Sequence, residues 1–311
     1  MNRYSVSNFT CRDITIASIL GEIKAENYFI YLFLTSLFIN WRENIPLVQD
    51  EVLRLMGYSL SSYNSIELCK KSFMDRNIEG HTFLMELSEE AVEALLGSDN
   101  KYDQNNFTVT IENYNTISGR FAIKYPNLFL EDIKSDSFIS SEITEKRLVE
   151  LIRITEKLQQ HEVCFMFLKP SIGVHQELSW KYVLSIVKNT ISPENNMFFD
   201  IINRYRNNLA FFSMRILTIR RCYYGSMFVF MDYISELLVN YDELRAEWKQ
   251  CLQQIIRERD NMINIVYIDA LRNRINLAKY REVLMKEDEA IIKLLDCLYS
   301  KLHIKDFSKH A

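Results

Sequence analysis

"NFTVTIENYNTISG", residues 106–119, is the stretch on which the fold class turns. Thr108, Val109, Thr110 and Ile111 are β-branched and alternate polar with apolar, the period of a strand with one face buried. A polar run, "SDNKYDQN" at 98–105, separates them from the helical pattern before, and residues 126–140 are again loop-like. This tract predicts one short β-hairpin near 107–120. Around it nearly everything reads as helix, so the expected class is mainly α. The expected architecture is a small N-terminal helical domain, 1–138, followed by a C-terminal bundle of long antiparallel helices, 139–311, with the boundary near Ser135–Ser141.

Composition supports that class. The 311 residues are 48% hydrophobic, 25% charged and 13% aromatic, which makes the chain globular rather than disordered. Gly numbers 7 and Pro 4; roughly average usage would give about three times as many. Sheets joined by tight turns need these residues, so their scarcity argues for long helices and few loops. It also excludes the Gly-rich phosphate loops, since neither G-x-G-x-x-G nor G-x-x-x-x-G-K occurs.

The N-terminal residues 10–40 read as a helical pair opened by Thr10 as N-cap with Asp13 three positions on. "NYFIYLFLTSLFINW", 27–41, is the most apolar run but falls short of the roughly 20 residues that span a bilayer. It reads as a core helix. No small-residue cleavage site follows it, so neither a signal peptide nor a membrane span is expected. Ile45–Pro46 starts a further helix that Gly57 ends, "SLSSYNS" (59–65) reads as a polar connector, and 73–97 as two helices about a Gly turn. Beyond Glu142 the 3.6-residue period takes over, with Ile143, Leu148, Leu151, Ile152 and Leu158 on one face and "FLKPSIG" (167–173) as a break. Ser192-Pro193-Glu194 is a helix start. From Leu237 through Tyr241, Leu244, Trp248, Cys251, Ile255, Glu258 and Met262 to Ile265 the spacing is that of a heptad seam. The long helix carrying it is expected to break at "MKEDEA", 285–290.

Candidate chemistry is sparse. Cys11, Cys69, Cys164, Cys222, Cys251 and Cys297 are evenly spread, without a C-x-x-C pair or a nearby His. That favours reduced structural thiols and an intracellular location, cytoplasmic or nuclear, over a zinc site or disulfide framework. If the chain is viral or a secreted effector, the expected compartment is the host-cell cytoplasm. His81, His161, His175, His303 and His310 are scattered, no G-x-S-x-G elbow occurs, and the adjacent acids Glu89-Glu90 and Glu287-Asp288-Glu289 diverge on a helix. Asp13, Glu22 and Glu26 lack the His partners of a di-metal site. No catalytic, cofactor-binding or metal-binding residue is therefore named, and no cofactor is expected. Net charge is −4, unevenly spread: residues 201–311 hold 18 Lys+Arg against 14 Asp+Glu. Within them "NRYRNNLAFFSMRILTIRRCYYG", 203–225, has five arginines and no acid. Arg204, Arg206, Arg215, Arg220 and Arg221 with Tyr205, Tyr223 and Tyr224 are the residue types that grip phosphate and stack bases. The same residues can instead lay their stems on apolar surface with their heads paired to the acidic N-terminal half, or meet a partner protein.

Residues 73–97, "FMDRNIEGHTFLMELSEEAVEALLG", resemble the second half of a sterile alpha motif domain, a five-helix interaction module. Phe73, Ile78-Glu79-Gly80, Phe83-Leu84, Leu87, Ser88-Glu89-Glu90, Val92 and Gly97 carry the likeness. It departs in one residue inserted before Ser88 and in "SDNKYDQNN" where the closing helix belongs. The resemblance implies a protein-interaction module that includes Phe73, Ile78, Gly80, Leu84, Glu89 and Glu90; the family's interaction surfaces include the closing helix, so no binding residue is carried across. Residues 45–84 also resemble DNA-associated N-terminal modules of large DNA viruses and phages, through Ile45-Pro46, Met56-Gly57-Tyr58-Ser59 and Glu79-Gly80. The leading functional expectation is a non-enzymatic adaptor or scaffold, self-associating or bound to a protein partner. The second is a nucleic-acid-binding protein using 204–224, and the third an enzyme whose site carries no recognisable motif.

Overall fold

The computed structural model describes residues 11–38, 45–74, 82–96, 106–126, 138–159, 163–170, 185, 188, 242–272, 274 and 276–302. The chain divides into two compact units, 1–28 with 58–174 and 29–57 with 175–311.

The first unit is built on a six-stranded antiparallel sheet. Its strands are β1 (Tyr58–Tyr63), β2 (Phe83–Ser88), β3 (Asn106–Asn115), β4 (Arg120–Pro126), β5 (Phe138–Thr144) and β6 (Phe165–Pro170), in the order β1-β6-β2-β3-β4-β5. The expectation of a mainly α protein is therefore wrong, as is that of an all-α helical bundle; the described residues are mixed α and β. The hairpin expected near 107–120 exists as β3–β4, but it is one third of a larger sheet rather than an isolated exception. "SLSSYNS", read as a connector, holds edge strand β1, and "FLKPSIG", read as a helix break, overlaps β6. Between the helix and the Gly of the 73–97 stretch lies a strand, β2, where two helices about a turn are expected.

Helices join the strands. α1 (Cys11–Ile23) precedes the sheet, and α2 (Ala25–Phe38) begins in this unit and ends in the other. α4 (Ile66–Met74) links β1 to β2, α5 (Glu89–Leu96) follows β2 directly, and α6 (Glu145–Gln159) links β5 to β6. Among the described residues, the connection between strands that uses a glycine turn is the β3–β4 hairpin. There the Asn115 carboxamide oxygen accepts from the Ile117 and Ser118 amides at 3.0 and 3.1 Å, and Gly119 takes φ 64.

Period-two alternation sends the side chains of this sheet to two faces. One face carries Phe83, Met85, Leu87, Phe107, Val109, Ile111, Phe121, Ile123, Phe165 and Phe167, all buried with Cys69 of α4, Ala91 and Val92 of α5, and Leu148 and Leu151 of α6. Tyr63, Phe73, Phe83 and Phe167 form an aromatic cluster with centroid separations of 5.0 to 6.0 Å. On the opposite face α1 lies over β3 and β4. That interface is polar in part: Arg12 pairs with Glu86 at 3.0 Å, and Lys124 reaches Glu22 at 3.1 Å and Glu112 at 3.4 Å. Burial alone would lower the Lys124 pKa, but the two carboxylates outweigh it and hold the ammonium above its ordinary value.

The end of β2 is tied to α6 through one hydroxyl. The buried Thr155 Oγ1 accepts from the Ser88 amide at 3.1 Å and donates to the Leu151 carbonyl at 3.0 Å. Ser88 in turn caps α5, its Oγ accepting from the Ala91 amide at 3.3 Å.

In the second unit α3 (Ile45–Leu55) carries Pro46 in its first turn and is followed by Gly57, where φ is 81, as its sequence implies. Two long helices, α7 (Asp242–Leu271) and α8 (Leu277–Leu302), pack as a hairpin. Trp248, Ile255 and Met262 of the heptad are buried, joined by Leu252 and Val266. The expected break at 285–290 is instead mid-helix: Met, Lys, Glu and Ala are good helix formers, and Lys286 pairs with Glu282 one turn back at 2.8 Å. The turn falls at 272–276 without Gly or Pro. Asn276 caps α8 through the Lys279 amide at 3.1 Å, and buried Asp269 accepts from Tyr280 Oη at 3.0 Å and Arg274 Nε at 3.1 Å. Among the described residues no helix is long and apolar enough to cross a membrane, α2 included. The helix start at Ser192 lies outside the described residues.

Two outcomes follow from these hydrogen bonds. Thr155→Val keeps the shape but leaves the buried Ser88 amide without its acceptor, and is expected to cost about 1–3 kcal/mol in denaturant unfolding; an unchanged midpoint would show that the bond contributes nothing. Burial, reinforced by the Asp269 carboxylate, pushes the Tyr280 phenol up to about 12. The unfolded chain ionises first, so stability present below pH 10 is lost as pH rises toward 12. Tyr280→Phe is expected to show a shallower alkaline loss than the parent protein in pH-dependent unfolding.

Candidate functional site: the open edge of the sheet

β5 reads "FISSEIT", with one charge, no Lys or Arg and no Pro. Among the described residues it pairs only with β4, through a register from Arg120↔Thr144 to Pro126↔Phe138. The Glu145 amide donates to the Gly119 carbonyl at 3.3 Å in the same register. Antiparallel ladders alternate hydrogen-bonded and non-hydrogen-bonded pairs. That contact therefore makes Ile143↔Phe121, Ser141↔Ile123 and Ile139↔Tyr125 the hydrogen-bonded pairs. The amides and carbonyls of Ser140 and Glu142 consequently point away from β4.

The flanks hold this strand in place. Thr144 ends it by capping α6, its Oγ1 accepting from the Arg147 amide at 3.3 Å. Arg147 also donates to the Ala94 carbonyl of α5 and pairs with Glu150 at 2.6 Å. Lys70 of α4 meets Glu145 at 3.0 Å, and Lys124 lies 5.1 Å over the Phe138 ring. Only Ile143 of β5 is buried; Ser140, Ser141, Glu142 and Thr144 are exposed, and Ile139 retains 36% of its surface. Consecutive exposed residues mean that both faces of the strand are open there. The opposite edge strand, β1, is mostly half-buried.

Other features select no ligand. An open hollow of about 850 Å³ runs along α6 past Lys146, Glu150, Arg153 and Lys157, mixing both signs of charge without a nucleophile. The space beside Lys124 is about 10 Å³, room for no more than a water molecule. Among the described residues no group of His, Cys, Asp and Glu could hold a metal ion. Burial pushes the Cys69 thiol up to about 12, which makes it inert.

The residues singled out from sequence are not brought together. Phe73 is half-buried against Phe83 at 5.2 Å, whereas Leu84 is fully buried and, one residue along β2 from Phe83, points to the other face of the sheet. Glu89 opens α5, and Glu90 is exposed on it. Ile78 and Gly80 lie outside the described residues, as do Arg204, Tyr205, Arg206, Arg215, Arg220, Arg221, Tyr223, Tyr224 and all five histidines. The β5 edge was missed because its serines resemble a linker; the signal available was the pair of β-branched ends, Ile139 and Ile143-Thr144, bracketing it. No protein-family model matches the chain, and no curated protein matches it.

Proline reads the parity of the strand. Ser141→Pro deletes a donor to β4 and is expected to be less stable than Ser140→Pro, which deletes an outward donor, by about 1–3 kcal/mol in chemical unfolding. A larger loss in Ser140→Pro would show that the inward and outward positions are reversed, and equal losses that the Ser141 donor contributes nothing to the ladder.

Proposed function

We propose that this chain is a non-enzymatic interaction or assembly protein that engages a protein strand along β5. The observation that carries this reading is an exposed strand edge whose outward amides and carbonyls, at Ser140 and Glu142, meet no strand among the described residues. Edges of this kind are templates for β-addition, and proteins that do not use them usually blunt them with Lys, Pro or a bulge. β5 carries none of these; the bulge in this sheet lies on β3, between Ile111 and Asn113. The buried Cys69 and Cys297 thiols support a reducing, intracellular setting for the complex.

The test is recovery of the protein from its native source, with mass spectrometry of what accompanies it and light scattering of the purified chain. A complex or an oligomer that weakens at least tenfold in Ser140→Pro, with unfolding cooperativity retained, is the expected result. A chain that is monomeric and without a partner, or a complex indifferent to Ser140→Pro, would overturn the reading.

A further inference from the structure

Resting on the reading of β5 as a docking edge, we infer that its occupant is the β5 of a second copy, paired antiparallel about a two-fold axis at Ser141. The strand's own register argument selects this partner. Outward hydrogen-bonding groups belong to even-numbered residues, so two β5 strands can pair only in registers that oppose even with even.

Three such registers overlap the strand substantially. One centred on Glu142 sets two like charges directly opposite each other, which is destabilising. One centred on Ser140 matches only the two Ser140 hydroxyls, and sets Ile139 against Ser141 and Glu142 against Phe138. The register centred on Ser141 sets Ile139 of each copy beside Ile143 of the other, twice over. That covers the exposed part of Ile139 on the sheet face where Ile143 already joins the core. The same register places each Glu142 opposite a Ser140, whose hydroxyl can donate to the carboxylate. Among the described residues Glu142 has a long contact to Arg120, 3.8 Å with both side chains about half exposed, which leaves it able to accept that bond.

Positions 139 to 143 therefore each find a compatible partner in a copy of the strand. An isologous contact of this kind closes at two chains and joins two six-stranded sheets into one.

The geometry makes a sharp cross-linking test. Ser141 opposes Ser141 as a non-hydrogen-bonded pair, where α-carbons sit about 4.5 Å apart, within the span a disulfide bridges. In Glu142→Cys the new thiol faces a serine instead. Treated with diamide, which is reduced as it takes up the two thiol hydrogens, Ser141→Cys is expected to give a disulfide-linked dimer. Its yield should exceed that of Glu142→Cys and of the parent protein, with its native cysteines, at least tenfold on non-reducing gels. Light scattering of the untreated parent should give twice the chain mass, falling to one in Ser140→Pro. As a readout independent of any cysteine, the Ser140 and Glu142 amides should gain exchange protection as protein concentration rises.

A Ser141→Cys yield no greater than that of Glu142→Cys, or a monomeric parent, would overturn self-pairing. If such a monomer still captured another protein, and lost it in Ser140→Pro, the edge would remain a docking site for a foreign strand. A parent oligomer untouched by Ser140→Pro would remove both readings together.

Discussion

β2 has to satisfy five neighbouring elements within six residues. β3 and β6 hydrogen-bond its two edges, α5 and α6 cover one face, and Arg12 of α1 reaches Glu86 on the other. A segment so enclosed has to satisfy its buried backbone groups within the protein. The final amide, that of Ser88, does so through the Thr155 side chain rather than a strand, because α5 begins there and takes the chain out of the sheet. The depth of the aromatic core and the position of α6 follow from that junction. So does the placement of β5, since α6 is the direct continuation of β5 and is anchored at its other end to β2.

The helices were legible and most strands were not, for reasons that lie in particular residues. α3 carries Pro46 at its start and Gly57 past its end, and α6 repeats its apolar residues at helical spacing. β3 shows the alternation of a strand with one greasy face. β2, "FLMELS", is buried on both faces and so loses alternation, which leaves a short apolar run that a helix could equally explain. β6 is as short and stops at Pro170, so its proline reads as the end of a helix. The low Gly and Pro content misleads in a specific way. It measures how many tight turns a chain needs, and this sheet makes most of its connections through helices instead.

The candidate site was harder still. β5 falls where composition suggests a domain boundary, and two serines beside a glutamate look alike in a linker and in a solvated edge strand. What distinguishes them is pairing with β4, a long-range fact that periodicity within seven residues cannot carry. Conversely, Phe73 and Leu84 stand close in sequence and share apolar chemistry, yet the pleat and the aromatic cluster assign them to opposite sides of the sheet. Apolar residues in a motif-like phrase are recruited by the core before they are available to a partner.

An edge strand offers main-chain atoms, and these are the same whatever residue supplies them. Ser140, Ser141 and Glu142 could drift through many side chains over evolutionary time while the docking surface stayed intact. Proline at an outward position, or a charge that meets its like across the pair, is among the few changes that would close it. Such a surface leaves a faint trace in a sequence family: a strand that varies in chemistry yet keeps its length, its parity and its freedom from proline.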